Sequence, residues 1–297
     1  MLSILIPTYN YDISDLIISL NKIALRLDFD YEILCLEDGS TMYLEENKAI
    51  CDTYHNTFYI VSNKNKGRIT SRRLLTEKAK YDWLLFLDAD VELTNDNFII
   101  AYSKFFSKGF DAVYGGCSYE LREPNASKVL RWKYGKAYEE IESNIRNKTP
   151  YKHIVSVNFL IKKDVFQNLI SKIDSDGYGY DLFLGVLMKL DKTKVYHIDN
   201  PVIHKGLEES SVFLNKVERA VETNYRLLSE KRISTTENSL LETYKSIKKF
   251  GLSKIIYLIY KWFKTPIKRQ LLSSSPNIKL LQFYKLGYLC ALSLKKK

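Results

Sequence analysis

Leu84-Leu85-Phe86-Leu87-Asp88-Ala89-Asp90 is the most informative stretch of this sequence. Four apolar residues lead directly into two carboxylates at positions i and i+2, whose side chains project to the same side of an extended chain. Two like charges at a strand end repel each other unless a cation or a hydrogen-bond donor lies between them. A divalent metal that carries a phosphate would satisfy both acids. The same spacing recurs in Asp28-Phe29-Asp30 and Asp174-Ser175-Asp176, so the apolar run before Asp88 is what distinguishes this pair.

Strand and helix patterns alternate four times in the first ninety residues. Short apolar runs predict strands at residues 2–6, 31–36, 57–61 and 82–87. Apolar stripes of helical period predict helices between them, at residues 12–27, with Asp12 as the cap, and then at 41–54 and 68–80. This alternation favours an α/β fold with a mostly parallel, doubly wound, Rossmann-like sheet and helices on both faces.

Each of the four predicted strands ends in a polar segment. These segments are Pro7–Asn10, Glu37–Ser40, Asn63–Gly67 and Asp88–Asp90. The carboxyl ends of parallel strands meet at one edge of a sheet, which is where ligands bind in folds of this kind. The sequence therefore predicts one ligand site built from all four segments.

The later part of the chain continues the alternation. It predicts helices at residues 95–107, 127–146, 163–171, 182–190 and 211–228, and strands at residues 110–115, 155–162 and 194–198. Two glycines, Gly177 and Gly179, precede Asp181, which we expect to open the helix at 182–190.

The excess of positive charge lies in the last fifty-three residues of the chain. The net charge is +10, but residues 245–297 hold 13 Lys and Arg and no Asp or Glu. Residues 1–244 therefore carry 32 basic and 35 acidic side chains, a net charge of −3. This distribution, together with the lack of a recognisable module, argues against a nucleic-acid-binding protein.

The composition is that of a globular protein, 45% hydrophobic and 27% charged. Four scattered cysteines without a C-x-x-C pair argue against a disulfide framework or a structural zinc site, and favour a reducing cytoplasm. The first residues read as a strand and not as a signal peptide. No uncharged apolar run reaches the roughly 18–20 residues that a membrane span needs.

The basic tail predicts amphipathic helices. Leu252, Ile255, Ile256, Ile259 and Phe263 form an apolar stripe, and lysines recur every seven residues beside it. Pro266 is expected to break or kink this helix. A second segment at 278–294 also carries lysines, and the chain ends in three more. Basic, aromatic-rich helices suit an anionic membrane surface, while packing on the domain is the alternative.

In their order along the chain, the motifs resemble those of family 2 glycosyltransferases. They are Ser3-Ile4-Leu5-Ile6-Pro7-Thr8-Tyr9-Asn10, Glu37-Asp38-Gly39-Ser40, Asn65-Lys66-Gly67 with Arg72, Asp88-Ala89-Asp90, Gly177-Tyr178-Gly179-Tyr180-Asp181 and Asp199-Asn200-Pro201-Val202-Ile203-His204-Lys205-Gly206-Leu207-Glu208. The resemblance covers about residues 2–230. Each motif is weak alone and specific in combination.

This resemblance implies a GT-A fold that binds a nucleotide-sugar donor, with a UDP-sugar favoured. Pro7, Thr8 and Tyr9 would line the base and ribose, and Asp38 would accept a uracil N–H. Glu37 departs from the family's paired aspartates. Asn65, Gly67, Arg72 and Asp88 would complete the donor site, where Arg72 meets the diphosphate or orients Asp38.

The resemblance also implies a divalent metal, Mn²⁺ or Mg²⁺, and usually inversion at the anomeric carbon. Asp88 and Asp90 would hold the metal, with His204 as a third ligand or a phosphate contact. Asp181 would be the catalytic base that inversion requires. Family members commonly have Glu-Asp after Gly-Tyr-Gly-His, so Tyr180-Asp181 is one residue short of the pattern.

These observations predict a glycosyltransferase domain at residues 1–230 and a basic amphipathic helical tail at 231–297. Residues 1–116 would form the donor half of the domain, and residues 117–230 the acceptor half. We expect a cytoplasmic enzyme, peripheral on the inner face of a membrane, that extends a cell-surface glycan or lipid-linked acceptor. The alternatives are a catalytically inactive membrane-associated scaffold of the same fold, or a sugar nucleotidyltransferase. The latter usually opens with a glycine- and arginine-rich phosphate loop, which Pro7-Thr8-Tyr9-Asn10 is not.

Overall fold

The structure, a computed structural model, describes residues 1–174, 177–236 and 238–295. Ser175 and Asp176, which belong to the Asp174-Ser175-Asp176 stretch quoted above, lie outside the described residues, as do Glu237 and the last two lysines. The chain divides into two compact units. The first unit comprises residues 1–120, 139–176 and 187–206, and the second comprises residues 121–138, 177–186 and 207–297.

The elements follow in chain order. They are β1 (Leu2–Thr8), α1 (Ser14–Ala24), β2 (Tyr31–Asp38), α2 (Leu44–Asp52), β3 (Thr57–Ser62), α3 (Arg68–Lys78), β4 (Trp83–Leu87), β5 (Val91–Leu93), α4 (Phe98–Ser103), β6 (Ala112–Tyr114), β7 (Cys117–Ser118), α5 (Val129–Tyr138), α6 (Ser143–Arg146), β8 (Asn158–Lys162), α7 (Lys163–Ser171), α8 (Tyr180–Leu190), β9 (Val195–His197), β10 (Val202–His204), α9 (Ser210–Ser229), α10 (Ser239–Lys249), α11 (Ser253–Leu271) and α12 (Ile278–Lys295).

A seven-stranded sheet in the order β3-β2-β1-β4-β8-β6-β9 forms the centre of the first unit. The first four strands of the chain are parallel neighbours, whereas β8 runs antiparallel to both β4 and β6. The carboxyl ends of β1, β2, β3 and β4 therefore lie at one edge. This confirms the mostly parallel α/β sheet and the meeting of its four polar strand ends.

The central strands are apolar because both of their faces are covered. All five residues of β4 are buried. Phe86 stacks on Phe159 and makes a tilted ring contact with Phe166, with ring centroids 4.9 and 4.6 Å apart. Burying one such side chain stabilises the fold by about 1.5–3 kcal/mol. The apolar run that precedes Asp88 thus fixes the strand from which the two acids emerge.

A second sheet of three short strands, in the order β5-β10-β7, places the end of the Asp88–Asp90 segment beside a distant part of the chain. β10 pairs antiparallel with β5, so that His204 lies opposite Val91. This long-range pairing places His204 beside the residue that follows Asp90.

Several predicted helix boundaries differ from the observed ones. The first helix begins at Ser14, and its cap position is held by Ile13 and not by Asp12 as predicted. Asp12 Oδ1 nevertheless accepts a hydrogen bond from the Ser14 N–H at 2.9 Å. The single helix predicted at 127–146 is wrong, because α5 ends at Tyr138 and α6 begins at Ser143. Between them, Glu139 and Glu140 accept hydrogen bonds from Tyr119. These tertiary contacts interrupt the helix that the local apolar period predicts.

The second unit is helical, and its core lies between α9, α11 and α12. Leu214, Tyr260, Leu281 and Tyr284 are among its buried residues. Two tyrosines of α12 donate hydrogen bonds to glutamates of α9: Tyr284 to Glu218, and Tyr288 to Glu222. The second tail segment therefore packs within this unit.

Pro266 does not break α11, which continues to Leu271. A proline removes the bond to the carbonyl four residues earlier. Pro266 is exposed, so the Trp262 carbonyl that loses its partner lies on the solvent side, where water can bond to it. Among the residues described, no helix is both long and apolar enough to cross a bilayer.

Candidate active site

The loops after β1 and β2 are tied together by side chains of polar residues. The Asn10 N–H donates to Ser40 Oγ at 2.6 Å, and Asn10 Oδ1 accepts from the Thr41 N–H at 2.8 Å. Asn47 of α2 holds the segment after β1, since it donates to the Tyr11 carbonyl and accepts from the Ile13 N–H, and it also donates to Glu37 of β2 at 3.4 Å. The segment that carries Pro7, Thr8 and Tyr9 is thereby fixed against the second strand end.

Glu37 is a buried support of these loops and not a ligand of an open site. It accepts hydrogen bonds from Ser40 and from the Tyr59 phenol, the latter at 2.7 Å. Burial, with the hydrogen bond to Glu37 as the second cause, raises the pKa of Tyr59 far above its usual value, so the phenol keeps its proton. A glutamate reaches the phenol of β3, which gives a physical reason for Glu37 in place of aspartate.

Asp38 is buried and holds the loop between β3 and α3. Its Oδ1 and Oδ2 accept hydrogen bonds from the N–H groups of Lys66 and Gly67 at 2.8 and 2.9 Å. Gly39 packs against this loop with a φ of +72°, and a Cβ there would overlap the backbone of Asn65. The second and third strand ends are therefore one tightly packed assembly.

Asp88 is held by two arginines from α3. Arg72 donates to Asp88 Oδ1 at 2.8 Å, and Arg68 donates to Asp88 Oδ2 at 2.6 Å. Arg72 is buried, with its guanidinium carbon 5.8 Å from the ring centroids of both Phe86 and Phe159. It also donates to Ser156, at 2.9 Å to the hydroxyl. The paired arginines neutralise Asp88 and place two positive charges at the fourth strand end.

Asp90 pairs with His204, whose Nε2 lies 3.3 Å from Asp90 Oδ2. Burial opposes ionisation of Asp90, but the hydrogen bond and charge of His204 and the charge of Arg68 outweigh it, so the pKa of Asp90 is lowered. A Cβ on Gly206 would overlap the Asp90 carboxylate. Only glycine at position 206 leaves room for that carboxylate.

The predicted metal ligands are thus arranged in two groups, Asp88 with the arginines and Asp90 with His204. Among the described residues, no three His, Cys, Asp or Glu side chains come together as a metal-binding group. The Asp90–His204 pair nevertheless fits a divalent ion, because carboxylate oxygen and imidazole nitrogen together suit Mn²⁺. His204 Nδ1 is buried and finds no hydrogen-bond partner in the described part of the chain. A buried polar atom of this kind is normally satisfied by a ligand or by water.

The predicted donor residues of β1 lie at its carboxyl end. Thr8 is buried, whereas Tyr9 is exposed next to it. Burial first, and the negative charge of Asp90 second, raise the pKa of Tyr11 in the loop after β1. The structure therefore collects Thr8, Asp38, Asn65, Gly67, Arg72, Asp88, Asp90 and His204 in the first unit, at or beside the strand ends.

Asp181 belongs to the second unit. It lies in the first turn of α8, which begins at Tyr180, and Gly179 before it has a φ of +92°. A Cβ on Gly179 would contact Ala220 of α9 at 3.1 Å. The glycine therefore allows the turn that precedes Asp181 to approach α9 closely.

Three residues of the site were missed by sequence analysis: Arg68, Ser156 and Gly206 in its packing role. Arg68 stands four residues before Arg72, one helical turn away, and this spacing is a signal that could have identified it. Ser156 comes from a segment 84 positions beyond Arg72. No local pattern reports a contact of that separation.

Residues 3–170 match the profile of Glycosyl transferase family 2, which is more than half of the chain. An uncharacterized glycosyltransferase of Rickettsia conorii is 33% identical over 89 residues. That match covers 30% of this chain and 14% of the relative, so the matched part spans about a seventh of the relative's length.

Solved glycosyltransferases share the fold. A mannosyltransferase from Pyrobaculum calidifontis, in complex with GDP-Man and Mn²⁺, superposes with a TM-score of 0.59 at 12% identity, covering 99% of this chain and 86% of that one. Mannosyl-3-phosphoglycerate synthase from Rubrobacter xylanophilus gives 0.53 at 15% identity, covering 79% and 76%. Glucosyl-3-phosphoglycerate synthase from Mycobacterium tuberculosis, with Mn²⁺, UDP-Glc and phosphoglyceric acid, gives 0.51 at 14% identity, covering 79% and 80%. The predicted GT-A fold is confirmed, and with the family match over residues 3–170 the chain belongs to glycosyl transferase family 2.

Proposed function

We propose that this chain transfers a sugar from a nucleotide-diphosphate donor to an acceptor hydroxyl with the help of a divalent metal ion. The observation that carries the proposal is the meeting of Asp38, Asp88 and the Asp90–His204 pair at the carboxyl edge of four parallel strands. Three solved proteins of the same fold are named as transferases or synthases of sugar products, two of them with Mn²⁺ in the complex.

Asp38 supports recognition of the nucleotide base. Its two oxygens each accept one backbone N–H from the loop after β3, and each carboxylate oxygen keeps a second lone pair. An immobilised acceptor suits the N–H of a uracil edge, so a UDP-sugar is the favoured donor. Pro7, Thr8 and Tyr9 line the base and ribose from β1.

The arginines support binding of the diphosphate. Arg68 is the first residue of α3 and is partly exposed, while Arg72 is buried and fixes Asp88. Two guanidinium groups and the amino terminus of an 11-residue helix attract phosphate oxygens. Asp90 and His204 would hold the metal, which supplies Lewis-acid stabilisation of the charge on the departing diphosphate.

Asp181 is the proposed base that takes the proton of the acceptor hydroxyl, with inversion at the anomeric carbon. It lies in the first turn of α8, where the helix dipole favours the ionised carboxylate. The acceptor is a hydroxyl of a cell-surface glycan or polysaccharide.

Thermal-shift measurements against a panel of nucleotide sugars, with and without Mn²⁺, test the donor proposal because a bound ligand raises the melting temperature by mass action. We expect one donor to raise it in the presence of Mn²⁺ only. Asp90→Asn should abolish the metal-dependent shift, while Asp181→Asn should keep the shift and lose sugar transfer. Asp52→Asn, a change at an exposed aspartate of α2, is the matched control.

Each failure has a distinct meaning. If no nucleotide sugar with Mn²⁺ shifts the melting temperature or is consumed, the donor proposal is wrong. If Asp181→Asn transfers sugar as fast as the unmodified chain, Asp181 is not the base. A donor that binds but is never turned over, even by the unmodified chain with a broad acceptor mixture, would favour the inactive scaffold.

A further inference from the structure

Helix α11 of the second unit has two apolar faces. The inner face carries Tyr260, Ile267 and Leu271, all buried in the core that α11 forms with α9 and α12. The outer face carries four exposed residues, which we call the outer stripe: Ile255 (53% exposed), Leu258 (43%), Ile259 (41%) and Trp262 (80%). The spacing of these four is i, i+3, i+4 and i+7, so they form one continuous row over two turns.

The outer stripe cannot be explained by packing within the second unit. An amphipathic helix normally presents a single apolar face to its core, and α11 already does so with Tyr260, Ile267 and Leu271. The exposed apolar surface extends at its edges to Leu252 and Phe263. Single exposed apolar residues are ordinary, whereas a contiguous row rimmed by polar groups marks an interaction surface.

The charge around the outer stripe has one sign. Lys254 and Lys261 are exposed and lie seven residues apart, which places both on the same flank of the stripe, and Arg269 is exposed further along the helix. Residues 245–297 contain no acidic side chain at all. Among the described residues, Lys254, Lys261 and Arg269 form no ion pair, whereas Lys268 pairs with Glu218 of α9. The outer face therefore combines apolar side chains with positive charge.

We propose that the outer stripe docks on the surface of an anionic lipid membrane, with α11 lying in the plane of the interface. Apolar residues enter the boundary between headgroups and acyl chains, lysines pair with anionic headgroups, and tryptophan favours this depth. A second copy of this chain fits less well, because an antiparallel symmetric pairing of the stripe would bring Lys254 and Lys261 of both copies to the same side. The proposal is independent of the transferase activity, because it concerns binding alone.

Helix α12 gives the contrast. Its residues Leu281, Tyr284, Leu289 and Cys290 are buried, and its tyrosines bond to α9. Of the two tail segments that the sequence nominates for the membrane, α12 thus uses its apolar residues within the unit. The proposal rests on α11 alone.

Vesicle co-sedimentation of the full chain tests this proposal. We expect binding to vesicles of phosphatidylcholine with 30% phosphatidylglycerol, at least tenfold weaker binding to pure phosphatidylcholine, and weakening by salt. The variant Ile255→Ser/Leu258→Ser/Ile259→Ser/Trp262→Ser should bind anionic vesicles at least tenfold less. Its matched control changes four exposed apolar residues elsewhere to serine: Ile18, Leu25, Leu121 and Leu190. The pair Lys254→Gln/Lys261→Gln should also weaken binding, compared with the exposed pair Lys48→Gln/Lys104→Gln.

A fluorescence measurement keeps the test informative if the serine variant misfolds. Trp262 is one of three tryptophans, and brominated anionic lipids should quench the emission of the unmodified chain. Trp262→Phe should still bind vesicles while losing most of that quenching. The proposal is overturned if neutral and anionic vesicles bind equally, if the serine variant binds as well as its control, or if Trp262→Phe leaves the quenching unchanged. It is also overturned if the unmodified chain ignores vesicles but forms dimers that the serine variant abolishes.

Discussion

At the scale of one residue, the contacts of Glu37 give a structural reason for glutamate at a position where the family motif has aspartate. Sequence analysis identified the departure, but the hydrogen bonds from Ser40 and Tyr59 come from the following loop and from the next strand. The longer side chain places its carboxylate within reach of that phenol. Asp38 stays the predicted site residue of the motif, and Glu37 supports the loop that follows it.

Tyr59→Phe should lower the free energy of unfolding by about 1–2 kcal/mol, because the buried Glu37 carboxylate loses one of its hydrogen-bond donors and keeps those of Ser40 and Asn47. Urea unfolding measures this loss. Tyr54→Phe, at a tyrosine just before β3, is the control and should change stability by less than about 0.5 kcal/mol. Equal effects of the two changes would contradict the supporting role of Glu37.

His197 should make stability fall in acid. It is buried, Nδ1 accepts from Arg146 at 2.9 Å, and Nε2 donates to the Pro150 carbonyl at 2.9 Å. Burial lowers the pKa of His197 from 6.5 to about 4. Between these values the unfolded chain binds more protons than the folded chain, so stability decreases as the pH falls from 6.5 to 4, by about 3 kcal/mol in full.

The comparison of His197→Gln with the unmodified chain isolates this contribution, since acids elsewhere also titrate. We expect the difference in unfolding free energy between the two chains to shrink as the pH is lowered from 7 to 4. His55→Gln, at an exposed histidine, should run parallel to the unmodified chain. A constant difference for His197→Gln would show that this histidine does not titrate as described.

At the scale of elements, the site consists mainly of loops that are bonded to one another, and less of side chains that point into a cleft. Asp38 binds the backbone of the loop after β3, and Asp88 binds two arginines of the helix that follows that loop. Parallel strands could be predicted because period and burial are local. The contacts between these loops could not be predicted from the sequence, since Arg72 bonds to Ser156, 84 positions further along the chain.

Gly39→Ala should destabilise the chain by several kcal/mol, because the added Cβ would overlap the backbone at Asn65 in addition to the cost of a positive φ. Gly109→Ala is a closely matched control, since Gly109 has a φ of +74° and no described atom within 4 Å of the new Cβ. That control should cost only about 1–2 kcal/mol. Thermal unfolding of both variants measures the difference, and similar melting temperatures would refute the clash.

The two arginines of α3 should differ in their effect on stability. Arg72 donates hydrogen bonds to both Asp88 and Ser156 from a buried position beside two phenylalanine rings. Lysine cannot make both sets of bonds, so we expect Arg72→Lys to lower the free energy of unfolding by about 2–4 kcal/mol. Arg68→Lys changes a partly exposed ion pair, worth about 0–1 kcal/mol. Denaturant unfolding distinguishes them. A larger loss of stability for Arg68→Lys than for Arg72→Lys would contradict the assignment of Arg72 as the buried residue that holds Asp88.

At the scale of the whole molecule, the fold class could be predicted from the sequence better than the packing of the tail. Charge and apolar period are readable in residues 245–297, but they do not show which apolar face finds a partner. In the structure α12 packs against α9 and α11, while α11 keeps a second apolar face exposed. The two helices are similar in composition, and their packing is what distinguishes them.

Leu281→Ala tests whether α12 is part of the folded unit. Leu281 is fully buried, and removing its side chain should cost about 2–4 kcal/mol. Leu272→Ala, at an exposed leucine just after α11, should cost less than about 1 kcal/mol. A detached tail would make both changes neutral in a calorimetric unfolding experiment.

The docking proposed for the exposed face of α11 would also have a consequence for reaction kinetics. Protein held on a bilayer meets a lipid-linked acceptor in two dimensions, so the turnover rate depends on the number of acceptors per unit of membrane area. A water-soluble acceptor would be governed by its bulk concentration instead. Tethering of this kind raises effective concentration without any new contact at the site, and diluting the acceptor with inert lipid at constant bulk amount would then slow the enzyme.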